Sequence, residues 1–397
     1  MRLVSERWQW IIALLFICSL LSFFFMPCVR ADGGAPNLAY VSGSSSGISV
    51  IDVGQAKITK TISVAGDPHT ILLSQDGGLL YVSQPALGQV SIVIASTGRI
   101  FCTAHLPGEP SLLAIDPDLN ILYAAGSGSA QVTALDPTNC KILNTFEVNG
   151  PVYGLAIALT AGSNLIGSVS NQLWIASTDS LTLFDGQEHQ ILGTVPFPDG
   201  PQYLSIPPGD TVYVTTHQGS VDAVSLKTRE MRRILNGGIF GPMDYDALTG
   251  EVYVPDEQHQ VLNVLSPVDI GVSDIPTEPE RIIHTQGIPE SVAITNDGLL
   301  GFIALREGKV AMLDLIAHRL VYTVDVGGTP HFIITGLYPP PVLDIPTPVS
   351  HAIPAQHITI PQVFWVIVFF MSLVTIIIVT TILLWQLRRS LKSEHRQ

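Results

Sequence analysis

Residues 38–82 read LAYVSGSSSGISVIDVGQAKITKTISVAGDPHTILLSQDGGLLYV, and this stretch contains the pattern that decides the fold. Within it, the pair Tyr40-Val41 returns as Tyr81-Val82 after 41 residues. Short runs rich in Ile, Val, Leu and Tyr alternate with clusters of Gly, Ser, Asp and Pro, which is typical of β-strands joined by tight turns. The 3.6-residue apolar period of an amphipathic helix is missing, so the stretch predicts short antiparallel strands.

Three sequence markers repeat along most of the chain in a constant order. An aromatic residue followed by a small or branched one recurs at steps of 39 to 51 residues, at Tyr40, Tyr81, Tyr123, Trp174, Tyr213, Tyr253 and Phe302. A Gly shortly before a Pro recurs as often, with its proline at Pro68, Pro110, Pro151, Pro201, Pro242, Pro289 and Pro330. The third marker is an apolar residue before Asp, Ala or Ser, at Ile51, Ile94, Leu135, Phe184, Val224, Leu265 and Leu313. Together they predict seven repeats.

Each repeat has room for four short strands, and a period near 40 residues with four strands is that of a β-propeller blade. The first repeat, residues 38–64, lacks an opening strand, whereas one extra strand over 331–335 follows the last Gly-Pro marker. Sharing one blade between the two ends would close the ring and remove the exposed sheet edges. The predicted fold is therefore all-β, a seven-bladed β-propeller with four-stranded blades closed by a shared terminus.

The first repeats contain three longer motifs. Two of them are Ile-Ser-Val-Ile-Asp over 48–52 and Thr-Ile-Ser-Val-Ala-Gly-Asp-Pro-His over 61–69. A third is Ser-Gln-Asp-Gly-Gly-Leu-Leu-Tyr-Val over 74–82. Over residues 38–335 the chain resembles the YVTN-repeat propellers of surface-layer-type and YncE-like proteins. The Asn of the family motif is Ser or Thr here, and the middle repeats are degenerate. The resemblance implies the propeller fold but no particular ligand, because the shared positions belong to strands and turns.

The amino-terminal segment resembles a secretory signal. Arg2 and Arg7 supply a basic region, residues 11–26 contain no charge, and Val29 and Ala31 are the small residues expected before a signal-peptidase cut. We expect a signal peptide that is cleaved after Ala31. An uncleaved anchor helix is the alternative, because the apolar run is long for a signal.

The carboxy-terminal run over 363–385 holds no charged residue. Its length of about 34 Å as a helix exceeds the hydrocarbon core of about 30 Å. Trp365 and Trp385 lie near its two ends, where interfacial aromatic residues are common. Basic residues follow immediately, and such residues stay on the cytoplasmic side. The run therefore predicts a single-pass membrane protein with its propeller outside the cell membrane and its carboxy terminus in the cytoplasm.

These signals divide the chain into five segments: a signal peptide 1–31, an extracytoplasmic propeller 32–337, a Pro-rich linker 338–361, a transmembrane helix 362–386 and a basic cytoplasmic tail 387–397. Residues 32–362 contain 12 Lys and Arg against 31 Asp and Glu, a net charge of −19. Such a surface repels phosphate backbones and argues against nucleic-acid binding. The absence of an Asn-x-Ser/Thr sequon fits a bacterial surface.

The residue that follows each marker proline should lie at the mouth of the central channel. In ring order these residues are His69, Ser111, Val152, Gln202, Met243, Glu290 and His331. Since the ring closes, Glu290, His331 and His69 belong to consecutive blades and would suit a divalent metal. The alternative is that a His after this proline simply caps a turn.

Other polar residues fall in loops of the same face, namely His217, Asp256, Glu257, His259, Arg306 and Glu307. They could line a ligand site, although polar residues are also ordinary in exposed loops. Cys102 and Cys140 fall near the outer strands of neighbouring blades and could form a disulfide. Neither a cofactor nor a metal is required by any motif.

The sequence favours a membrane-anchored cell-surface scaffold that binds a protein or glycan of the envelope or exterior. The rival hypothesis is an enzyme, because related propellers include lactonases and quinone- or haem-dependent oxidoreductases. An enzyme would need a set of ligands at the channel mouth, where the sequence offers only the His and Glu residues named above. A sensor is a third hypothesis, and its short tail would then need a signalling partner.

Overall fold

Turns rich in Gly, Pro and Asp reverse the chain after each short apolar run, so the runs pair as antiparallel strands. A computed structural model describes residues 38–159, 171–271 and 275–336. Within those residues the regular structure is strand throughout, apart from one short 3₁₀ helix at Pro85–Leu87. The first fifteen strands are β1 Leu38–Ser44, β2 Gly47–Asp52, β3 Lys57–Ile62, β4 Ile71–Leu73, β5 Leu79–Gln84, β6 Gln89–Ile94, β7 Ile100–His105, β8 Leu112–Asp116, β9 Ile121–Ala125, β10 Gln131–Leu135, β11 Ile142–Glu147, β12 Val152–Ala158, β13 Gln172–Ser177, β14 Ser180–Asp185 and β15 Gln190–Pro196.

The remaining thirteen strands follow the same order of short, evenly spaced runs. They are β16 Pro201–Ser205, β17 Thr211–Thr216, β18 Ser220–Ser225, β19 Met231–Asn236, β20 Asp244–Tyr245, β21 Val252–Asp256, β22 Val261–Leu265, β23 Arg281–His284, β24 Pro289–Ile294, β25 Leu300–Leu305, β26 Lys309–Asp314, β27 Arg319–Asp325 and β28 Ile333–Gly336. The 28 strands form seven four-stranded sheets, which we number as blades 1 to 7. Blade 1 is β28-β1-β2-β3, blade 2 is β4 to β7, and each later blade takes the next four strands. The predicted seven-bladed propeller is confirmed.

Blade 1 joins the two ends of the propeller. Strand β28 pairs antiparallel with β1, and Leu38 lies opposite Gly336 while Val41 lies opposite Ile333. The pairing extends beyond the strands, because Ser42 N–H donates to the Phe332 carbonyl at 2.9 Å. The closing strand begins two residues later than the sequence predicted, and the closure itself is confirmed.

The hydrophobic core lies between the blades. Each of the seven interfaces between neighbouring blades holds one cluster of buried side chains, including the interface of blades 7 and 1. The seven marker aromatic residues are all at most 3% exposed and stand within these clusters. Their burial explains the repeat, because one large side chain per blade fills the wedge between neighbouring sheets.

Two types of loop share one face of the ring. The Gly-Pro loop before each blade packs against the loop between that blade's second and third strands. A Cβ on Gly200 would lie 3.0 Å from His217 Cδ2, and one on Gly287 would lie 2.2 Å from Glu307 Oε2. Glycine is needed at Gly200 for a second reason, because its φ is +72°. We call this surface the Gly-Pro face, and the other surface, with the remaining turns, the opposite face.

Cys102 and Cys140 join blades 2 and 3. Cys102 lies in β7 and Cys140 follows β10, with Cα atoms 5.9 Å and sulfur atoms 2.09 Å apart. The structure therefore contains the disulfide that the sequence left open. A bond of this kind persists in oxidising compartments and is rare in the cytosol.

Several sequence predictions lie outside the described residues. These are the signal peptide 1–31, the linker 338–361, the transmembrane helix 362–386 and the tail 387–397. Among the residues that the structure describes, none belongs to a helix with the length and apolarity needed to cross a bilayer.

Reduction of the disulfide should destabilise the propeller. The two cysteines are 38 residues apart, and loop closure over that distance is worth about 3–4 kcal/mol. We expect the melting temperature to fall by about 5–10 °C in dithiothreitol, measured by circular dichroism. The Cys102→Ser/Cys140→Ser double variant should melt at the reduced temperature with or without dithiothreitol. An unchanged melting temperature after complete reduction would contradict this expectation.

Candidate functional site: the channel mouth on the Gly-Pro face

The inner strand of each blade is the one next to the channel: β28, β4, β8, β12, β16, β20 or β24. These strands begin at the Gly-Pro face, so the residues before and after each start lie at the channel mouth. His69 and His331 come from blades 2 and 1, and their rings stack with centroids 5.1 Å apart and an interplanar angle of 15°. His331 Nε2 lies 3.2 Å from the Asp67 carboxylate. Ser42 Oγ donates a hydrogen bond to the His69 carbonyl and so ties blade 1 to blade 2.

The stacked arrangement favours a neutral His69 ring. Burial and, to a smaller extent, the neighbouring His331 together lower the pKa of His69 to about 4. Two charged rings in this arrangement would repel each other, whereas two neutral rings gain from stacking. At neutral pH His69 therefore offers hydrogen-bonding nitrogens and an aromatic surface, not a positive charge.

Arg306 joins two carboxylates at the other side of the mouth. Its guanidinium pairs with Glu290 of blade 7 and with Glu257 of blade 6, the latter at 2.5 Å. Hydrogen bonding to Glu290 raises the pKa of Arg306 further above its ordinary value, so the group keeps its charge. Burial raises the pKa of Glu257, and the bond from Arg306 opposes this effect. The trio therefore carries one net negative charge across the junction of blades 6 and 7.

The predicted grouping of Glu290 with the two histidines is not what the structure shows. Arg306 holds the Glu290 carboxylate, while His331 contacts Asp67 and stacks on His69. Among the described residues, no group of three or more His, Cys, Asp or Glu side chains is arranged to hold a metal ion. The proposed metal ligands His69, Glu290 and His331 thus belong to two separate clusters of the mouth.

A third cluster joins the predicted mouth residues Gln202 and His217 to Tyr153, which the sequence did not single out. Gln202 Nε2 lies 2.7 Å from His217 Nδ1, and the ring of Tyr153 meets His217 edge-on at a centroid distance of 4.6 Å. Burial lowers the pKa of His217, so its neutral ring accepts the hydrogen bond from the amide. Burial also raises the pKa of Tyr203, and the nearby Glu257 and Glu290 carboxylates add to this shift. Tyr203 therefore lies near the two carboxylates of the Arg306 trio.

Other predicted site residues hold the loops of the face. The buried Asp256 carboxylate accepts the His259 backbone N–H at 3.2 Å and lies 2.7 Å from His259 Nδ1. Glu307 accepts the Ile288 backbone N–H at 3.1 Å and thereby holds the Gly-Pro loop of blade 7. These contacts give Asp256 and Glu307 roles in loop structure, and the His259 ring remains more than half exposed to solvent.

The channel below the mouth contains one carboxylate that the sequence analysis missed. Asp244 lies in β20 and lines a cavity of about 340 Å³. Its Oδ2 accepts the Ile294 backbone N–H from blade 7 at 2.7 Å. Burial raises the pKa of Asp244 to about 6, which leaves it mainly ionised at pH 7.5. One sequence signal could have pointed to it. The marker proline and the marker aromatic residue of this blade are 11 residues apart, whereas in the blades that begin at Pro68, Pro110, Pro201 and Pro289 they are 12 or 13 residues apart.

The stacked histidines should make the propeller less stable in acid. His69 has a folded pKa of about 4, below its ordinary value of 6.5, so the unfolded chain binds more protons between these two values. The contribution of His69 to the free energy of unfolding is complete above pH 6.5. It falls by on the order of 2–3 kcal/mol as the pH drops towards 4. The measurement is urea unfolding from pH 7.5 to 4.

The His69→Gln variant provides the control, since its side chain does not titrate. Its free energy of unfolding should decline less steeply than that of the wild type between pH 6.5 and 4, and the two should run parallel above pH 7. Identical slopes in the acidic window would mean that His69 titrates normally in the folded protein.

Comparison with known proteins supports the architecture. No family model and no curated protein matches this chain. Similar solved structures include the periplasmic gluconolactonase PpgL of Pseudomonas aeruginosa, with 15% identity, a TM-score of 0.61 and coverage of 76% of this chain and 99% of that one. A functionally unknown protein of Desulfotomaculum acetoxidans has 12% identity, a TM-score of 0.62 and the same coverage. Apo AztD of Citrobacter koseri has 13% identity, a TM-score of 0.53 and coverage of 76% and 97%. At these identities the likeness shows a shared β-propeller fold.

Proposed function

We propose that this chain is a membrane-anchored, extracytoplasmic YVTN-type propeller that binds a protein or glycan of the cell envelope through its Gly-Pro face. The observation that carries the proposal is the convergence of polar and aromatic side chains at the channel mouth. Six of the seven blades contribute to the three clusters described above. Aromatic and arginine side chains are enriched at binding interfaces, and here Tyr153 lies in β12 while Arg306 is held by two ion pairs in the turn after β25.

Charge and redox chemistry support an outer location. The disulfide between blades 2 and 3 suits an oxidising compartment. The predicted signal peptide and transmembrane helix suit the same location, and the net charge of −19 over 32–362 argues against a nucleic-acid partner.

Strand β28 runs away from the Gly-Pro face. The turn between β1 and β2 lies on the Gly-Pro face, where Gly43 meets Thr329 and His331. Gly336 lies opposite Leu38, at the other end of β1. The chain therefore leaves the propeller at the opposite face, where the predicted linker begins. A partner at the Gly-Pro face would meet no obstruction from that exit point.

A binding role suits the mouth better than the enzyme alternative. The strongest charges there are paired with one another, as Arg306 lies between Glu257 and Glu290. The side chains of the mouth histidines are held by their neighbours: His331 stacks on His69, His217 contacts Gln202, and His259 contacts Asp256. Paired charges and preorganised aromatic rings are features of a recognition surface.

Site-specific crosslinking in intact cells tests the proposal. A photo-crosslinking amino acid would replace Leu87 or Gln286, which are exposed on the Gly-Pro face. Leu248 and Ile316, 71% and 74% exposed on the opposite face, are the matched control positions. We expect a discrete crosslinked product only from the first pair, with protease and glycosidase digestion identifying its class. Equal crosslinking from both faces, or none, would overturn the proposed role of the Gly-Pro face.

Loss of Arg306 should weaken that interaction. Arg306→Gln leaves Glu257 and Glu290 without their shared cation and should reduce the crosslinked product at least fivefold. Lys227→Gln is the control, because it removes an exposed ion pair with Asp210 on the opposite face. A surface ion pair of this kind contributes little, so the control should crosslink like the wild type. An undiminished product from Arg306→Gln would exclude the trio from the interface.

Cysteine accessibility tests the membrane topology separately. In intact cells, a membrane-impermeant maleimide should label Gln286→Cys but should label Ser393→Cys only after permeabilisation. These positions lie on the propeller and in the predicted cytoplasmic tail. Labelling of Ser393→Cys in intact cells would contradict the predicted orientation.

A further inference from the structure

Asp244 occupies a position that is apolar or small in every other blade. In each blade, one inner-strand residue lies directly opposite the marker aromatic residue of the second strand. In blades 1 to 5 and 7 that residue is Ile334, Leu72, Ala114, Ala156, Ser205 or Ala293. In blade 6 it is Asp244, opposite Tyr253. The repeat therefore departs from its own pattern by placing one carboxylate inside the channel.

Blade 6 is also unusual in its inner strand. Strand β20 has only two residues, whereas the inner strands of the other blades have three to seven. This short strand forms one wall of the 340 Å³ cavity, and strands of blades 7, 1 and 2 form the others. The volume falls within the range of sites for small organic ligands.

The cavity wall combines one charge with apolar, aromatic and neutral polar residues. Phe332 brings an aromatic ring, Leu72 brings apolar surface, Asn296 brings an amide, and Asp244 brings the carboxylate. No salt bridge of the described residues includes Asp244, and the hydrogen bonds that it accepts come from the neutral backbone N–H groups of Ile294 and Tyr245. A charge in such surroundings is costly without a partner, so the site gains from a positively charged occupant.

The wall chemistry separates the classes of cation. A calcium or magnesium ion needs about six oxygen ligands, commonly with several carboxylates, and the described wall of this cavity offers one carboxylate. An organic ammonium ion needs one counter-ion and gains from aromatic faces and apolar contact. The acidic surface of the propeller would also raise the local concentration of cations.

We propose that the axial cavity is a binding site for a small organic ammonium ion, with Asp244 as its counter-ion and Phe332 as its aromatic wall. The site lies within the channel and is separate from the partner surface at the mouth. It does not depend on the membrane anchor or on the identity of the partner.

Calorimetric titration of the detergent-solubilised full-length protein tests the proposal. Choline is the probe, and 3,3-dimethyl-1-butanol is its neutral counterpart of similar shape. At pH 8 we expect one choline per chain, bound at least tenfold more tightly than the neutral alcohol. Calcium ion, titrated separately, should give no binding that depends on Asp244.

Variants assign the effect to the cavity. Asp244→Asn keeps an oxygen that can accept the Ile294 N–H but removes the charge, and it should weaken choline binding at least tenfold. Asp210→Asn changes the net charge equally at the opposite face and should bind choline like the wild type. Phe332→Leu should weaken choline at least threefold and leave the neutral alcohol unaffected; it keeps the test decisive if Asp244→Asn fails to fold.

Three results would overturn the proposal: no choline binding by folded wild-type protein, equal affinity for the neutral alcohol, or unchanged affinity in folded Asp244→Asn. None of these results bears on crosslinking at the Gly-Pro face, so the two proposals fail separately.

Discussion

The hydrogen bonds between β28 and β1 hold the ring together. A propeller blade buries its two faces only when it has a neighbour on each side, and each blade interface contains its own apolar cluster. Pairing β28 with β1 supplies the inner strand of blade 1 and, with it, the interface between blades 7 and 1. Without this pairing, β1 would expose a row of unpaired backbone groups and the last cluster would lie open to water.

The same closure assembles the functional face. His331 enters the mouth from the residue run that leads into β28, while His69 comes from the start of the chain's second blade. Arg306 similarly connects loops of blades 6 and 7. The mouth is thus built from contacts between blades, and its geometry depends on the ring being complete. Residues far apart in sequence meet because each blade presents the same two loop types to the same side.

The sequence predicted the features that depend on periodicity. Spacing and turn chemistry gave the blade number, the strand order within blades and the shared terminus, because these follow from short-range patterns repeated seven times. Side-chain partners depend on register and loop path, which the repeats do not encode. Glu290 was therefore assigned to the histidines, although Arg306 holds it. Asp244 was overlooked because its significance appears only when the inner strands are aligned by their pairing with the marker aromatic residues. The pairing of Cys102 with Cys140 could not be predicted for a similar reason, because the 5.9 Å between their Cα atoms depends on how blades 2 and 3 pack.

The position of Gly336 has a mechanical consequence. This residue ends the closing strand, and its pairing with Leu38 is the last contact of β28 before the chain leaves the ring. Force applied to the chain beyond this point reaches the ring through the four residue pairs that join β28 to β1. Tension directed from the Gly-Pro face to the opposite face runs along β28, so these hydrogen bonds are stretched together and share the load. A tether attached here would therefore transmit tension through blade 1, the blade that joins the two ends of the ring.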